Sequence, residues 1–258
     1  MSPGASRDWD GRSYDRISAP MEQMALPVLD RLVLAGDETV IDAGCGSGRV
    51  TEALLERLPR GRVIAVDGSA EMLAAARDRL GHDSRVRFVQ ADLVRLALDE
   101  PADAILSTAT FHWIADQSAL YRALHAALRP GGRLVAQCGG KGNIADVREA
   151  VAAVVAADPA LGERLTDFDP WQFLDPDETR AHLAAAGFSR AESWLGDWPV
   201  VTEDGREWLG TINLGSHVAR LADEALAQRF VAAVHERMGG DPLTIHYVRL
   251  NVDATAAG

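Results

Sequence analysis

The residues with the clearest chemical promise form one short run. Val40 to Thr51 reads VIDAGCGSGRVT: an apolar stretch ending in Asp42, then Gly44, Gly46 and Gly48, then a helical pattern. Glycines at alternate positions let the backbone turn with positive φ and let a ligand reach the main chain with no β-carbon in the way. A dinucleotide fingerprint wants its third glycine where this chain has Arg49, and it asks for no acid at position 42. A carboxylate beside such a loop opposes a pyrophosphate and suits an ammonium group, so the expected ligand has a cationic head. Asp67 ends the next apolar run, 23 residues after Gly44, where it can accept both hydroxyls of a ribose. Asp92, in Gln90-Ala91-Asp92-Leu93, is placed to accept from an exocyclic adenine amine.

Positioning these groups requires a particular set of elements. Residues 39–43, 62–67, 86–90, 103–107 and 133–137 are short, nearly continuous apolar runs, as strands covered on both faces should be. Helical patterns separate them, at 49–58, at 70–80 with Ser69 as N-cap, and at 117–128, where Pro130-Gly131-Gly132 stops the chain. Strand and helix in alternation predict an α/β fold with parallel pairing, helices on both faces, and a ligand crevice beyond the carboxyl ends of the strands. Further strands are expected around 190–200 and 244–253, which brings the sheet to seven. The short Gly239-Gly240-Asp241-Pro242 turn predicts that the last strand returns antiparallel. Helices are expected at 145–157, 176–186 and roughly 203–238. The expected organisation is an N-terminal cap over 1–30, a cofactor-binding core over 31–139, and over 140–258 the rest of the sheet with cap insertions at about 140–175 and 202–240.

Composition narrows the partners. The 26 basic residues against 38 acidic ones leave a net charge of −12, a field that repels nucleic acid and anionic membranes. Two cysteines cannot build a disulfide framework or a four-cysteine zinc site, so no metal is expected and a reducing, cytoplasmic setting is. The first 19 residues are polar and carry no apolar leader segment. G-x-S-x-G, G-K-[ST] and H-E-x-x-H are absent, and the sole lysine, Lys141, has no tyrosine four residues upstream, as a short-chain dehydrogenase would require. Thr108-Ala109-Thr110-Phe111 stands where amino-methylating DNA enzymes carry an Asp/Asn-Pro-Pro-aromatic run. A small-molecule substrate is the favoured class; the oligomeric state is left open.

Taken together, D-x-G-x-G-x-G, the acid after the second strand, A-D-L after the third and L-R-P-G-G before the fifth resemble the class I S-adenosylmethionine-dependent methyltransferases over about residues 40–138. Trp9 to Tyr14, Phe111-His112-Trp113 and Tyr247-Val248-Arg249-Leu250 are similar to the branch containing the trans-aconitate methyltransferases. The resemblance implies a Rossmann-like doubly wound sheet with a helical cap, and S-adenosyl-L-methionine as cofactor. It implies that Gly44, Cys45, Gly46 and Gly48 wrap the methionine half, that Asp67 takes the ribose with Gly68 and Met72 beside it, and that Asp92 and Leu93 take the adenine. The backbone around Thr108 and Ala109 lines the methionine side, and Tyr14 is a candidate to close over it.

A carboxylate acceptor would need no general base at pH 7, whereas an alcohol, amine or carbon acid usually would. His112, at the end of the fourth strand, is the first candidate base, and His217 in the cap is the second. Trp113 and Trp171 are candidates to wall the acceptor site. Cap arginines such as Arg180, Arg206 or Arg220 would clamp an acidic acceptor. The expected activity is methyl transfer to a small molecule, with carboxylate O-methylation leading. The alternatives are O-, N- or C-methylation of a specialised metabolite, a fold that keeps the cofactor without methyl transfer, and a nicotinamide oxidoreductase, which Arg49 and Asp42 disfavour.

Overall fold

The computed structural model describes residues 19–257, and their side chains from residue 23. The chain divides into two compact units. The first comprises residues up to Lys141, Trp171–Gly196 and from Arg249 onward; the second comprises Gly142–Pro170 and Asp197–Val248.

The first unit is built on the predicted sheet. In chain order it has α1 (Ala19–Arg31), β1 (Thr39–Ala43), α2 (Arg49–Glu56), β2 (Arg62–Asp67), α3 (Ala70–Leu80), β3 (Val86–Gln90), β4 (Ala102–Thr108), α4 (Gln117–Ala126) and β5 (Leu128–Gly139). Among the described residues a seven-stranded sheet has the order β3-β2-β1-β4-β5-β7-β6, where β6 is Phe188–Thr202 and β7 is Leu243–Ala256. The neighbours β3-β2, β2-β1, β1-β4 and β4-β5 pair in parallel. The last strand, β7, runs antiparallel to β5, with Arg133 opposite Thr255 and Gly139 opposite Arg249, as its short preceding turn predicts. The strand order reverses between β1 and β4, so the crevice opens above those two strands.

Burial follows the apolar runs. Val40, Ile41, Val63, Val66, Ile105 and Leu106 are in the interior, on strands whose two faces are both covered. Contrary to the expectation of an N-terminal cap reaching residue 30, α1 belongs to the sheet layer. Val28, Leu29 and Leu32 pack into the same cluster as Val40, Ala104, Leu106 and Val135. The buried positions 24, 25, 28, 29 and 32 already have helical spacing, but Pro27 inside the helix masks the pattern.

The second unit holds α5 (Ala145–Ala157), α6 (Pro159–Leu165), α8 (Gly205–Trp208), a π-helical turn at Leu209–Asn213, α9 (Gly215–Leu221) and α10 (Glu224–Arg237); α7 (Pro176–Ala186) belongs to the first. The single helical stretch expected over 203–238 is thus four pieces. Asp223, in extended conformation, caps α10 by accepting from Leu226 N and so interrupts any continuous helix. α6 is also unforeseen; Asp158 caps it and Pro159 opens it. The unit ties its chain ends through its own groups. Asn143 Oδ1 accepts from Val248 N at 2.9 Å, and Tyr247 Oη accepts from Trp208 Nε1 at 2.9 Å and Asn213 Nδ2 at 3.1 Å.

Candidate active site

The carboxyl ends of β1, β2 and β4 converge in the first unit. At the first of them, Gly44 N and Cys45 N both donate to Val66 O, at 2.8 and 3.0 Å, which turns the chain sharply off β1. Gly48 then opens α2 with a φ of 84°, a conformation costly for a residue with a β-carbon. Two of these glycines have different reasons to be glycine. A β-carbon on Gly44 would overlap the Thr110 side chain, so this loop and the one after β4 are packed together. At Gly46, with a φ of 54°, an added β-carbon would meet nothing within 4 Å. Its bareness serves space above the loop. Asp42 is 1% exposed and its Oδ2 accepts from Thr51 Oγ1 at 2.6 Å. It therefore lies beneath the loop, spending one oxygen on α2 and leaving Oδ1 as the atom it can offer a cation. Burial, opposed by the Thr51 hydroxyl and reinforced by Asp67, raises its pKa to about 6.

Asp67 anchors the loop as well as facing the crevice. Its Oδ2 accepts from Gly46 N at 2.9 Å and its Oδ1 from Ser69 N at 2.8 Å. Each oxygen retains a further acceptor direction, which suits two hydroxyls of a ribose. Burial raises the pKa of this carboxyl, while the hydrogen bonds from Ser69, Gly46 and Gly68 hold it down. Gly68 is half-buried beside it. Met72 is buried in the first turn of α3, where Ser69 Oγ accepts from its N–H at 3.2 Å. Asp92 is exposed and caps the short 3₁₀ turn after β3, its Oδ1 accepting from Val94 N at 3.1 Å. The Leu93 side chain packs in the main core cluster, so any contact it makes with an adenine is through its backbone.

Beyond β4 the chain continues Thr108-Ala109-Thr110 into the 3₁₀ turn Phe111–Trp113. Ala109 has a φ of 56°, unusual for alanine, and its N–H donates to Gln137 O at 2.7 Å. Such a conformation persists only where the surroundings enforce it, and here the packing against Gly44 and the bond to β5 do so. His112 is 7% exposed, with its ring centroid 4.9 Å from that of Trp113 and 5.8 Å from that of Phe173. Trp171 stacks on Phe173 at 5.7 Å and lies 6.4 Å from Trp113. The structure thus brings His112, Trp113 and Trp171 together and adds Phe173.

The general-base role expected of His112 does not fit this geometry. Its Nδ1 accepts from Gly139 N at 3.2 Å. That bond assigns the proton of the neutral ring to Nε2, where it can donate to an acceptor and cannot take a proton from one. Burial and the neighbouring Arg249 push the histidine pKa well below its ordinary value, which keeps the ring neutral.

The remaining expectations fall elsewhere. Tyr14 lies outside the described residues. His217 is in the second unit, 1% exposed, its ring 5.1 Å from Phe168 and 5.8 Å from Phe230. Burial lowers its pKa to about 4, which Asp169 partly opposes. This is the setting of a packed core histidine. Arg220 donates from Nε to Arg164 O at 2.7 Å and stacks on Phe168, so it holds α9 to α6. Arg180 donates to Ser193 O at 2.8 Å and pairs with Asp177, and Arg206 donates to Gln228 O at 3.4 Å. Arg180 and Arg220 are thus committed to main-chain carbonyls. Arg206 lines a recess of about 840 Å³ in the second unit together with Asp204, Glu207, Asp223 and Asp241, and none of the cofactor-side residues is in that lining.

A buried polar stripe on β5 and β7 was not foreseen. Arg249, Gln137 and Asn251 are all in the interior, Arg249 Nε donates to Gln137 Oε1 at 3.3 Å, and Gln137 Nε2 donates to Asn251 Oδ1 at 3.0 Å. A charged residue inside the apolar run of β7 is a visible sequence signal, but only the pairing with β5 assigns it a location.

Comparison with other proteins places the chain in a family. A family described as a methyltransferase domain matches residues 40–132. A trans-aconitate 2-methyltransferase of Azoarcus sp. is 40% identical over 129 residues, a match that spans 50% of each chain. One of Methylobacterium nodulans is 31% identical over 188 residues, 73% of this chain and 67% of its own. Among solved structures, the Haemonchus contortus phosphoethanolamine N-methyltransferase 2 in complex with S-adenosylhomocysteine shares the fold with a TM-score of 0.63 at 17% identity, over 96% of this chain and 57% of that one. The chain belongs to the class I S-adenosyl-L-methionine-dependent methyltransferases, in the branch of the trans-aconitate methyltransferases. The residues fit that cofactor: Gly46 leaves room over the loop, Asp67 presents acceptors for a ribose, and Asp42 sets a negative charge beneath the loop, where an ammonium would lie. Among the described residues no group of His, Cys, Asp and Glu has a metal-binding arrangement, and no helix is long and apolar enough to cross a membrane.

Proposed function

We propose that the protein transfers the methyl group of S-adenosyl-L-methionine to a carboxylate oxygen of a small molecule. The observation that carries the acceptor class is the hydrogen bond from Gly139 N to His112 Nδ1. It makes the histidine beside the methionine side a donor, and a carboxylate is the acceptor that needs a donor and no base at pH 7.

When bound, the cofactor supplies a methyl carbon that its sulfonium already makes electrophilic. The work of this chain is to orient and to exclude water. The Gly44–Gly48 loop and Asp67 seat the cofactor, and Thr110 packs the turn after β4 against that loop. His112 Nε2–H orients the acceptor oxygen, and the Trp113, Trp171 and Phe173 rings form a water-poor wall. Positioning of this kind can lower a barrier by about 7–11 kcal/mol at best. The names of the relatives support a small unsaturated tricarboxylate as first acceptor to try. A cytoplasmic setting belongs to the same proposal, supported by two buried free thiols, Cys45 and Cys138.

Incubation of the protein with S-adenosyl-L-methionine and trans-aconitate, and in parallel with amine, alcohol and phenol panels, should release S-adenosylhomocysteine and a methyl ester in the carboxylate arm alone. Ester formation should show no inflection near pH 6.5 that disappears in His112→Ala, and that variant should lose about 10- to 100-fold in kcat/KM, as expected for one hydrogen bond to a charged group. Turnover with amines only, or a pH inflection abolished by the substitution, would remove the carboxylate reading.

A further inference from the structure

His112 is held at its backbone as well as at its ring. The turn Phe111–Trp113 that carries it closes on itself, Trp113 N donating to Thr110 O at 3.0 Å and Ile114 N to Phe111 O at 3.1 Å. The Phe111 side chain, 1% exposed, anchors the start of the turn in the core, edge-on to Tyr121 of α4 at 5.9 Å. Gln172 N donates to His112 O at 2.8 Å, which fastens the strip bearing Trp171 and Phe173 to the turn, and Gly139 N donates to the ring at Nδ1. Gln117 adds a hold of another kind: its Nε2 donates to Phe111 O at 2.8 Å and to Ile114 O at 2.7 Å, bracketing the turn from both ends. All of these groups belong to the first unit.

The amide of Gln117 is not spent on its own helix. Gln117 is the first residue of α4, and a helix N-terminus presents N–H groups that a capping side chain must accept. Asp116 does this, its Oδ1 accepting from Ala119 N at 2.8 Å. Gln117 donates instead, and backward, to the chain that precedes the helix. Both partners are carbonyl oxygens, so they fix which end of the amide is nitrogen. The side chain is 6% exposed, although glutamine usually stays in water, and burying an amide is unfavourable unless its donors are matched. Here the two carbonyls match both hydrogens of Nε2. Gln172 and Gly139 hold the turn through main-chain N–H groups, so of these three holds only that of Gln117 can be removed by substitution.

We propose that Gln117 is a positioning residue for methyl transfer that acts through His112: by bracketing the turn it keeps the ring where Nδ1 meets Gly139 N, and so leaves Nε2–H as the donor to the acceptor oxygen. This rests on the donor role given to His112 above. The bond from Gly139 N is 3.2 Å, at the long end of the usual range, so a small shift of the turn breaks it. A ring freed of that bond no longer keeps its proton on Nε2. With the proton on Nδ1, the bare Nε2 turns a lone pair toward an anionic oxygen and repels it.

Nuclear magnetic resonance of the full chain, isotopically labelled at the histidine ring nitrogens and saturated with S-adenosylhomocysteine, reads the tautomer directly; the His112 signals are those missing from His112→Ala. Wild type should show one protonated and one bare nitrogen, far apart in shift. In Gln117→Met, which keeps the length of the side chain and loses both donors, the two signals should move toward each other as both tautomers populate, with S-adenosylhomocysteine affinity within about threefold of wild type. Turnover of trans-aconitate should fall about 3- to 10-fold in kcat/KM, less than in His112→Ala, and the double variant should be no slower than His112→Ala alone. A glutamine with a purely structural role would slow both backgrounds alike. If Gln117→Met does not fold, Gln117→Asn, whose amide sits on a shorter stem, is read in the same way. His112 signals at their wild-type positions in a folded Gln117 variant, or equal losses in the two backgrounds, overturn the proposal. Wild type that binds S-adenosylhomocysteine but methylates no carboxylate overturns the carboxylate reading instead, and the ring spectra still decide whether Gln117 holds the histidine.

Discussion

A carboxylate buried as completely as Asp42 is costly to ionise, and the cost has a pH signature. With a folded-state pKa of about 6, above the 3.8 of the free side chain, the folded protein takes up this proton first as the pH falls. The resulting destabilisation is full above pH 6, shrinks between 6 and 4, and is absent below; at neutral pH it amounts to roughly 3 kcal/mol. Asp42→Asn, which can still accept from Thr51, should therefore raise the unfolding free energy of the ligand-free protein at pH 7.5, by an amount that falls to about half at pH 5. The same variant should bind S-adenosyl-L-methionine less tightly, because it loses the charge proposed to face the cofactor's ammonium. Chemical denaturation at the two pH values and a cofactor titration read both effects; a variant no more stable at pH 7.5 would contradict the burial argument. The type and spacing of Asp42 were legible in the chain. Its depth beneath the loop was not, since that depends on Thr51, in the first turn of the next element.

At the scale of elements, the loop between β1 and α2 separates two uses of glycine. Gly44→Ala should lower stability by 2 kcal/mol or more, about the cost of a left-handed alanine with an added overlap, because its β-carbon meets Thr110 across the loop. Gly46→Ala should cost only about 1–2 kcal/mol for its left-handed conformation, and yet should reduce cofactor affinity the more strongly of the two relative to that loss, because its β-carbon enters space that is otherwise open. Thermal melts with and without S-adenosylhomocysteine distinguish them. Elements with strong period or caps were readable: the strands of the parallel sheet, α3 with its Ser69 cap, and α7 with Asp175, Pro176 and Glu178 at its start. The α1 helix was not, because Pro27 lies inside it and the helix is fixed by the packing of Val28, Leu29 and Leu32. Nor was the division of 203–238, where local signals were individually weak and burial decided among them.

For the whole molecule, the question is which cations serve the chemistry and which hold the chain together. Arg220→Ala removes a bond to Arg164 O and a stack on Phe168, both within the second unit and both at an exposed side chain. It should cost about 1 kcal/mol or less of stability and leave the acceptor KM within twofold of wild type. A tenfold rise in KM would restore it as a clamp. The net charge of −12 makes this distinction matter, since an anionic acceptor approaching a negative molecule depends on local cations at its destination.

The fold class, the parallel sheet with its returning last strand, and the identity of the cofactor were determined by the sequence itself. These rest on short-range properties: the period of apolar residues, the freedom of glycine, and acids at the ends of consecutive runs. The surroundings of His112 and of the polar stripe on β5 and β7 were decided by tertiary structure. The hydrogen bond to His112 Nδ1 comes from a residue 27 positions away, and that from Arg249 Nε goes to one 112 positions away. A hydrogen bond between segments brought together by sheet order leaves no local mark, so the partners of a buried polar group emerge only once the chain has closed on itself.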